Sequence, residues 1–380
     1  MAVLVFWIAL AFVFYVYLGY PLLVVVLGVV LDRRVQKAPW TPRISVLIAA
    51  HNEEAVLDAT LRNKLEQNYP VDLLEILVVS DGSSDRTDEI VAGFADPRVH
   101  LLRQEPRAGK TSALNLAVTQ ASGEILVFSD ANSLYAPDAL RQLANNFSDP
   151  EIGYVTGKMI YANPDGSPIG EGCSTYMSYE NALRNAETRI GSVVGVDGGI
   201  DAVRGELYIP MNSDQLPDFV LPLQVIKQGF RVVYEPQAVL WESTLKEADD
   251  EYRMRVRVSL RALWALLDMR QLLSFVKSPL FAWQLWSHKL LRYFCFVFLF
   301  TVLWSNSLLL AQGPFYQGVF ILQVLGYVGA LCMPLLERRG FGLRFLTFAR
   351  YFSLLNLAAA HAFCKFLLGK KQAIWIPRKG

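Results

Sequence analysis

The sequence has few cysteines, almost no net charge and, near its start, a long run without any charged residue. The four cysteines of the 380-residue chain lie far apart, and no two have the spacing of metal ligands. The formal net charge is +1, so no overall basic or acidic field favours nucleic acid as a partner. These absences argue against a disulfide framework and a cysteine metal site, and they indicate a soluble part in a reducing compartment.

The charge-free run extends from Ala2 to Leu31. It is long enough for one tilted membrane span and too short for two. It is also too long, and lacks the preceding basic segment, for a secretory signal peptide. Arg33, Arg34 and Lys37 follow directly and, by the positive-inside rule, place the next domain in the cytoplasm. We therefore expect a multi-pass protein of the cell's inner (plasma) membrane.

Apolar residues return in the last quarter of the chain. Leu290–Gln312 and Phe315–Leu336 are predicted to span the membrane. Whether segment 345–368 also crosses stays open, as does the side of the C-terminus, because only Tyr351–Cys364 is free of charge. The predicted organisation is an N-terminal transmembrane helix (1–31), an α/β domain (40–250), basic amphipathic interface helices (251–288), membrane-embedded helices (289–368) and a basic tail (369–380).

The α/β domain is predicted from strand-like runs that each end in a polar tip followed by a helical pattern. The runs are Arg43–Ala50, Glu75–Val79, Val99–Leu102 and a fourth from Ile125. This alternation is typical of a doubly wound parallel sheet, whose ligands bind beyond the carboxyl ends of the strands. If the strands are neighbours, the tips that carry Glu53, Asp81 and Asp130 line one crevice. Such acids suit a nucleotide or a divalent cation.

Two familiar phosphate-binding motifs are missing. No G-x-G-x-x-G follows the first strand, which disfavours a Rossmann dinucleotide fold. Gly109-Lys110-Thr111 resembles the end of a P-loop, but Gln104 stands where that motif needs glycine. Lys110 can still contact a phosphate as a point charge, with a solvated loop lysine as the alternative. For Asp130 the alternative is a helix-capping role.

Five segments, in order and at plausible spacing, resemble glycosyltransferase family 2, whose members have the GT-A fold, a doubly wound mixed sheet. The resemblance covers about Ile44 to Arg261 and is carried by segments 49–54 (AAHNEE), 78–85 (VVSDGSSD), 109–115 (GKTSALN), 128–132 (FSDAN) and 216–221 (LPDFVL).

The resemblance implies a nucleotide-sugar site. Ala49, His51 and Glu53 would border the nucleobase, Asp81 would hydrogen-bond it, and Lys110 would hold the nucleotide.

The resemblance also implies a metal site for Mg²⁺ or Mn²⁺. Asp130 matches the first acid of the family's D-x-D element, but Asn132 stands in place of the second acid. An amide can ligate a metal with less charge, so metal affinity is expected to be reduced, with the diphosphate and water completing the coordination.

On the acceptor side, Asp218 matches the family's catalytic base, although Pro217 precedes it where Glu is usual. Its alternative is a first-turn acid of a helix. Gly198 and Gly199 lie where the family has its acceptor-binding floor, and a plain glycine-rich turn is the alternative.

Arginines spaced by four residues, Arg253, Arg257 and Arg261, share one face of a predicted helix. Family members have basic residues here that reach the diphosphate, and we assign Arg253 and Arg257 to the donor. A basic helix on anionic lipid is the alternative. The strict Q-x-x-R-W motif of processive members is absent.

The resemblance thus implies a membrane-bound inverting glycosyltransferase. It would transfer a sugar from a nucleotide-diphosphate sugar, with a UDP-sugar expected, to a lipid-linked or growing polysaccharide acceptor. Membrane lipids are further expected partners, and nucleic acid is not. Because of Asn132, a catalytically silent membrane scaffold or nucleotide sensor stays as the alternative.

Overall fold

The computed structural model describes residues 1–162, 168–243, 248–337 and 344–372. Within these ranges eight strands form one sheet in the order β3-β2-β1-β4-β7-β6-β8-β5. The strands are β1 (Ile44–Ala50), β2 (Leu74–Asp81), β3 (Val99–Gln104), β4 (Ile125–Asp130), β5 (Leu134–Tyr135), β6 (Ile152–Ala162), β7 (Ile200–Arg204) and β8 (Arg231–Ser243). The end of the basic tail, after residue 372, lies outside the described residues, as do Arg338 and Arg339.

The first four strands are parallel neighbours, as their apolar runs predict. Every residue of β1 is buried, because helices cover both faces of the sheet. Ala49 of β1 pairs with Asp130 of β4, and Ala50 pairs with Ser80 of β2. The polar tips after these strands therefore meet at one edge. Beyond β4 the sheet becomes mixed, because β7 joins β4 antiparallel.

The helices cover the sheet and extend beyond it at both ends of the chain. They are α1 (Ala2–Phe14), α2 (Tyr20–Leu31), α3 (Leu57–Leu65), α4 (Thr87–Ala92), α5 (Lys110–Gln120), α6 (Ala139–Asn146), α7 (Pro168–Ile190), α8 (Pro217–Lys227), α9 (Ala248–Asp268), α10 (Pro279–Leu285), α11 (Leu291–Tyr293), α12 (Cys295–Ser307), α13 (Pro314–Glu337) and α14 (Arg344–Leu367).

A π-helical turn, Tyr15–Gly19, joins α1 and α2 into one helix of 30 residues that is long and apolar enough to cross a membrane. Phe6 in its first half packs against Val302 of α12, whereas Tyr20 in its second half packs against α7. The helix thus links the apolar helices at the end of the chain to the α/β domain.

The C-terminal segment contains further candidate membrane spans. Pro314–Met333 is long and apolar enough to cross a membrane. The predicted span Leu290–Gln312 stays a prediction: Pro279–Tyr293 and Cys295–Ser307 are together long and apolar enough to cross a membrane, with a bend of 59° between them. Helix α14, whose path the sequence left open, packs against α9 through Ala358 and Ala362.

Candidate active site

A cavity of about 760 Å³ lies at the carboxyl ends of β1 and β4. Helices α8, α9 and α14 and the first helix of the chain close its other sides. Predicted site residues that line it are Ala49, Glu53, Lys110, Asp130, Asn132, Asp218 and Arg257. The structure therefore brings together residues that are up to 208 positions apart in the sequence, from Ala49 to Arg257.

Lys110 and Asp130 form an ion pair on the sheet side of the cavity. Gly109 has φ +96°, which lets the chain turn sharply into α5 and directs Lys110, its first residue, toward β4. The Lys110 Nζ lies 2.5 Å from Oδ1 of Asp130. Burial alone would lower the pKa of Lys110, but the carboxylates of Asp130 and Asp218 raise it overall. Lys110 is therefore held as a cation where a phosphate would bind.

The protein offers few ligands for a metal ion at this point. Asp130 and Asn132 both line the cavity, and Lys110 engages only one oxygen of Asp130. Among the described residues no group of three His, Cys, Asp or Glu side chains could hold a metal. One carboxylate and one amide fit a hard divalent cation that keeps waters and takes further oxygens from a diphosphate.

Glu53 lies near Asp130 in the cavity wall. Burial, and after it the negative charge of Asp130, raises the pKa of Glu53 to about 7. A carboxyl group in this state can either donate or accept a hydrogen bond near neutral pH. Ala49, the ladder partner of Asp130, supplies a small wall residue beside it.

Asp81 and His51 are turned toward the protein and do not line the cavity. The Asp81 carboxylate accepts hydrogen bonds from the backbone N–H groups of Ala108 and Gly109, at 2.8 and 2.9 Å, and from Gln104. Nδ1 of His51 lies 2.8 Å from the backbone oxygen of Asp81. In this conformation the fully buried Asp81 orders loop 104–109, and its contact with a nucleobase stays a prediction.

Asp218 faces Lys110 from the first turn of α8. Pro217 begins this helix, and its fixed φ suits the first helical position, so the following carboxylate is presented at a defined point. Burial raises the pKa of Asp218, while the positive charge of Lys110 opposes that increase. A carboxylate with a raised pKa is a better proton acceptor than an ordinary aspartate.

The glycine segment before β7 lies directly beneath Asp218. Gly198 has φ +82°, and a Cβ added to it would lie 2.3 Å from Cγ of Asp218. Only glycine fits there. Asp201 accepts the Gly198 N–H at 2.9 Å, and burial raises the pKa of Asp201 to about 7. Gly199 is more distant, with Leu240 and Ser133 as the nearest neighbours of an added Cβ.

The arginines of α9 have different positions. Arg257 lines the cavity, whereas the Arg253 side chain is 78% exposed and lies outside it, near Asp250. Placing Arg253 at the donor does not agree with this geometry, because its side chain points into solvent. Arg261, which we did not assign to the site, donates to the backbone oxygens of Asp214 and Gln215 and to Oγ1 of Thr111.

Sequence reasoning also missed a group of charged residues between α7 and the bend before α12. His288 lies between Glu187 (2.7 Å) and Glu180 (3.1 Å), and Arg292 pairs with Glu180. Lys289 lines the cavity beside them. The sequence does contain a pattern that indicates this group. His288, Lys289 and Arg292 stand close together in an apolar stretch, and titratable residues in such a stretch often mark a functional region.

The cavity lies at the carboxyl ends of parallel strands and combines a lysine-paired acid with a facing carboxylate. This arrangement is the one expected of a nucleotide-dependent transferase. Residues 45–191 match the family model "Glycosyl transferase family 2". Residues 45–191 are thus similar to glycosyltransferase family 2, and the mixed α/β sheet is that of the GT-A fold.

Two curated relatives illustrate the sequence similarity. Poly-beta-1,6-N-acetyl-D-glucosamine synthase of Staphylococcus aureus (strain COL) is 28% identical over 222 residues, which cover 56% of this chain and 53% of that protein. Probable glycosyltransferase YdaM of Bacillus subtilis (strain 168) is 28% identical over 227 residues, 57% of this chain and 54% of that protein. The chain thus spans about half the length of the curated relatives it matches.

A solved structure extends the similarity beyond this domain. Mannosyltransferase PcManGT from Pyrobaculum calidifontis, in complex with GDP-Man and Mn²⁺, has a TM-score of 0.73 and 25% identity. The match covers 96% of this chain and 99% of that one, so it includes the helices at both ends.

Proposed function

We propose that this protein is a membrane-bound, inverting glycosyltransferase that uses a nucleotide-diphosphate sugar. The acceptor is lipid-linked or a growing polysaccharide, and the α/β domain faces the cytoplasm from the inner membrane. The observation that carries the proposal is the placement of Asp218 opposite the Lys110–Asp130 pair across one cavity. The family 2 domain supports it.

The two sides of the cavity have the charges that the reaction needs. Lys110 on the sheet side and Arg257 on α9 provide positive charge for the diphosphate. On the α8 side, the half-buried Asp218 lies above Gly198, where an acceptor can approach the backbone closely. Glu53 and Ala49 complete the wall at the end of β1.

In the proposed reaction Asp218 takes the proton of the acceptor hydroxyl while that oxygen forms a bond to the anomeric carbon. The bond from this carbon to the diphosphate oxygen breaks, its electrons leave with the nucleoside diphosphate, and the configuration inverts. Lys110 and Arg257 stabilise the charge that develops on the leaving group.

Asp130 and Asn132 would hold Mg²⁺ or Mn²⁺, which would neutralise diphosphate charge as a Lewis acid. The similar mannosyltransferase was solved with Mn²⁺ and GDP-Man, while the curated relatives include an N-acetylglucosamine polymer synthase. Our sequence expectation is a UDP-sugar, and both UDP- and GDP-sugars belong in the tests.

The test is turnover of UDP- and GDP-sugars by the purified full-length protein with Mn²⁺, measured as nucleoside diphosphate release. Asp218→Asn should lower the turnover number by about a thousandfold, within the range usual for loss of a general base, and leave donor binding intact. Asp72→Asn changes an exposed acid outside the cavity and serves as the matched control. Equal turnover by Asp218→Asn and wild type would show that Asp218 is not the base.

The second candidate is a catalytically silent nucleotide-binding scaffold, which the short ligand set of Asp130 and Asn132 favours. In that case the wild type would bind nucleotide and release none.

A further inference from the structure

Lys289 is a cavity lysine without a direct ion-pair partner among the described residues. It belongs to the π-helical turn Trp286–Leu290 before the bend. In the described part of the chain no carboxylate or hydrogen-bond acceptor pairs with its ammonium, which lies 5.8 Å from the centre of the Phe219 ring. A half-buried ammonium without a partner is costly, so this arrangement points to an anion supplied from outside.

The acids closest to Lys289 already have partners. Asp197 pairs with Arg184 at 2.5 Å, and Glu180 pairs with Arg292. Glu187 accepts a hydrogen bond from the backbone N–H of Val194 at 3.1 Å and contacts His288.

Lys289 lies on the acceptor side of the cavity. A Cβ added to Gly195 would lie 2.4 Å from Nζ of Lys289, and a Cβ added to Gly198 would collide with the Asp218 carboxylate. These two glycines are three positions apart in one segment, and Phe219 is the neighbour of Asp218 in α8. An anion on Lys289 would therefore lie on the side of the cavity that the glycine segment and α8 form.

Next to this charged region the cavity becomes apolar. Phe14 and Leu18 of the first helix and Phe352 and Leu355 of α14 line that part. A second groove of about 240 Å³ shares Phe352 and continues between the apolar helices. It is lined by Leu10, Val13, Leu299, Val302, Val319 and Leu322, among others. Such walls suit a hydrocarbon chain, because they offer few hydrogen bonds to sugar hydroxyls.

We propose that the acceptor is a membrane lipid with an anionic group, a phosphate or a carboxylate, beside its acceptor hydroxyl, and that Lys289 binds this group. The inference rests on the proposed function and selects the lipid over the growing polysaccharide. The hydrocarbon chain lies along the first helix and α14, and the anion on Lys289 positions the hydroxyl at Asp218.

The test compares three probes in titrations of the full-length protein in non-ionic detergent: hexadecyl phosphate, hexadecanol and inorganic phosphate. Thermal stabilisation of the protein reports binding. Hexadecyl phosphate should bind at least tenfold more tightly than either of the others, because it alone offers both the charge and the chain.

Lys289→Met should weaken binding of hexadecyl phosphate by about ten- to a hundredfold, as expected for a lost charge-assisted hydrogen bond, without changing that of hexadecanol. Lys289→Arg should retain most of the affinity. Lys277→Met, which changes an exposed lysine outside the cavity, is the matched control. Binding of a nucleoside diphosphate shows that each variant is folded.

Several results would overturn the inference. Lys289→Met could bind hexadecyl phosphate as the wild type does, or inorganic phosphate could bind as tightly as the lipid, which would indicate a free-phosphate site. If Lys289→Met weakened the binding of a nucleoside diphosphate as much as that of hexadecyl phosphate, Lys289 would bind the leaving group and not the acceptor. If the wild type binds no nucleoside diphosphate at all, the proposed function itself fails; if it does, but treats the two lipids alike, only this inference fails.

Discussion

At the scale of single residues, burial decides which acids of the site are charged. Glu53 and Asp201 both have a pKa raised to about 7 because they are withdrawn from water, and Asp218 is shifted in the same direction. Lys110 keeps its charge because carboxylates surround it. Lys110 is therefore a cation over a pH range in which Glu53 and Asp201 change from neutral to charged.

Asp201 gives a prediction for stability against pH. A buried acid whose pKa is about 7 in the folded chain, against about 4 in the unfolded chain, makes the fold less stable as pH rises between these values. Asp201→Asn removes this loss and keeps an oxygen for the Gly198 N–H. The melting temperature of the variant relative to wild type should rise by roughly 5 °C between pH 5 and pH 8. A difference that stays constant with pH would show that Asp201 is ionised throughout.

The residue types at the site could be predicted from sequence, whereas several of their contacts could not. Glu53, Asp130 and Asp218 stand at strand ends or a helix start, and the structure places all three in the cavity. That Asp81 turns inward depends on the backbone of loop 104–109, which no spacing rule describes. Lys289 was missed because it lies next to a predicted membrane span, outside the α/β pattern.

At the scale of elements, the three arginines of α9 have different positions and different expected roles. Arg257 and Arg261 both line the cavity, and Arg261 in addition holds the segment 213–215 that precedes α8. Arg253 is exposed. The shared helical face predicted a donor role for Arg253 and Arg257, but only Arg257 of these two lines the cavity.

A series of arginine-to-methionine variants tests this division. Arg261→Met should lower the melting temperature by several degrees, because the loss of hydrogen bonds from a buried charged donor costs about 1.5–3 kcal/mol each. Arg257→Met should weaken nucleoside diphosphate binding by about tenfold or more and affect the melting temperature less. Arg253→Met should change neither. Equal weakening of binding by Arg253→Met and Arg257→Met would contradict the positions described above.

The prediction from sequence was most accurate for the first four strands of the sheet, because β1 to β4 are apolar runs with polar ends. The bend before α12 and the packing of α14 on α9 were not predictable from hydropathy alone. Hydropathy measures whether a helix can enter a membrane, and it does not indicate which helix contacts the α/β domain.

At the scale of the whole molecule, the first helix couples the apolar helices to the catalytic half. The Tyr20 hydroxyl donates to Glu187 at 2.5 Å, and the same carboxylate contacts His288. Three separate segments of the chain thus meet at one buried carboxylate. The cavity borders this junction, so the shape of the cavity depends on the position of the first helix.

Tyr20→Phe removes the hydroxyl from this junction. The free energy of unfolding should fall by about 1–3 kcal/mol, because a buried carboxylate loses a hydrogen bond. Tyr316→Phe is the matched control, since the Tyr316 hydroxyl makes no hydrogen bond within the described residues. Thermal unfolding in detergent measures both variants, and equal melting temperatures for them would mean that the Tyr20 bond does not hold the helix in place.

The most direct measurement for the central claim is thermal stabilisation of the full-length protein by UDP, GDP and other nucleoside diphosphates, with and without Mn²⁺. A ligand at a hundred times its dissociation constant stabilises the fold by about 2.7 kcal/mol. We predict a Mn²⁺-dependent shift with one nucleoside diphosphate, and its loss in Asp130→Ala. The absence of a shift with every nucleotide tested would contradict the account of the cavity as a nucleotide-sugar site.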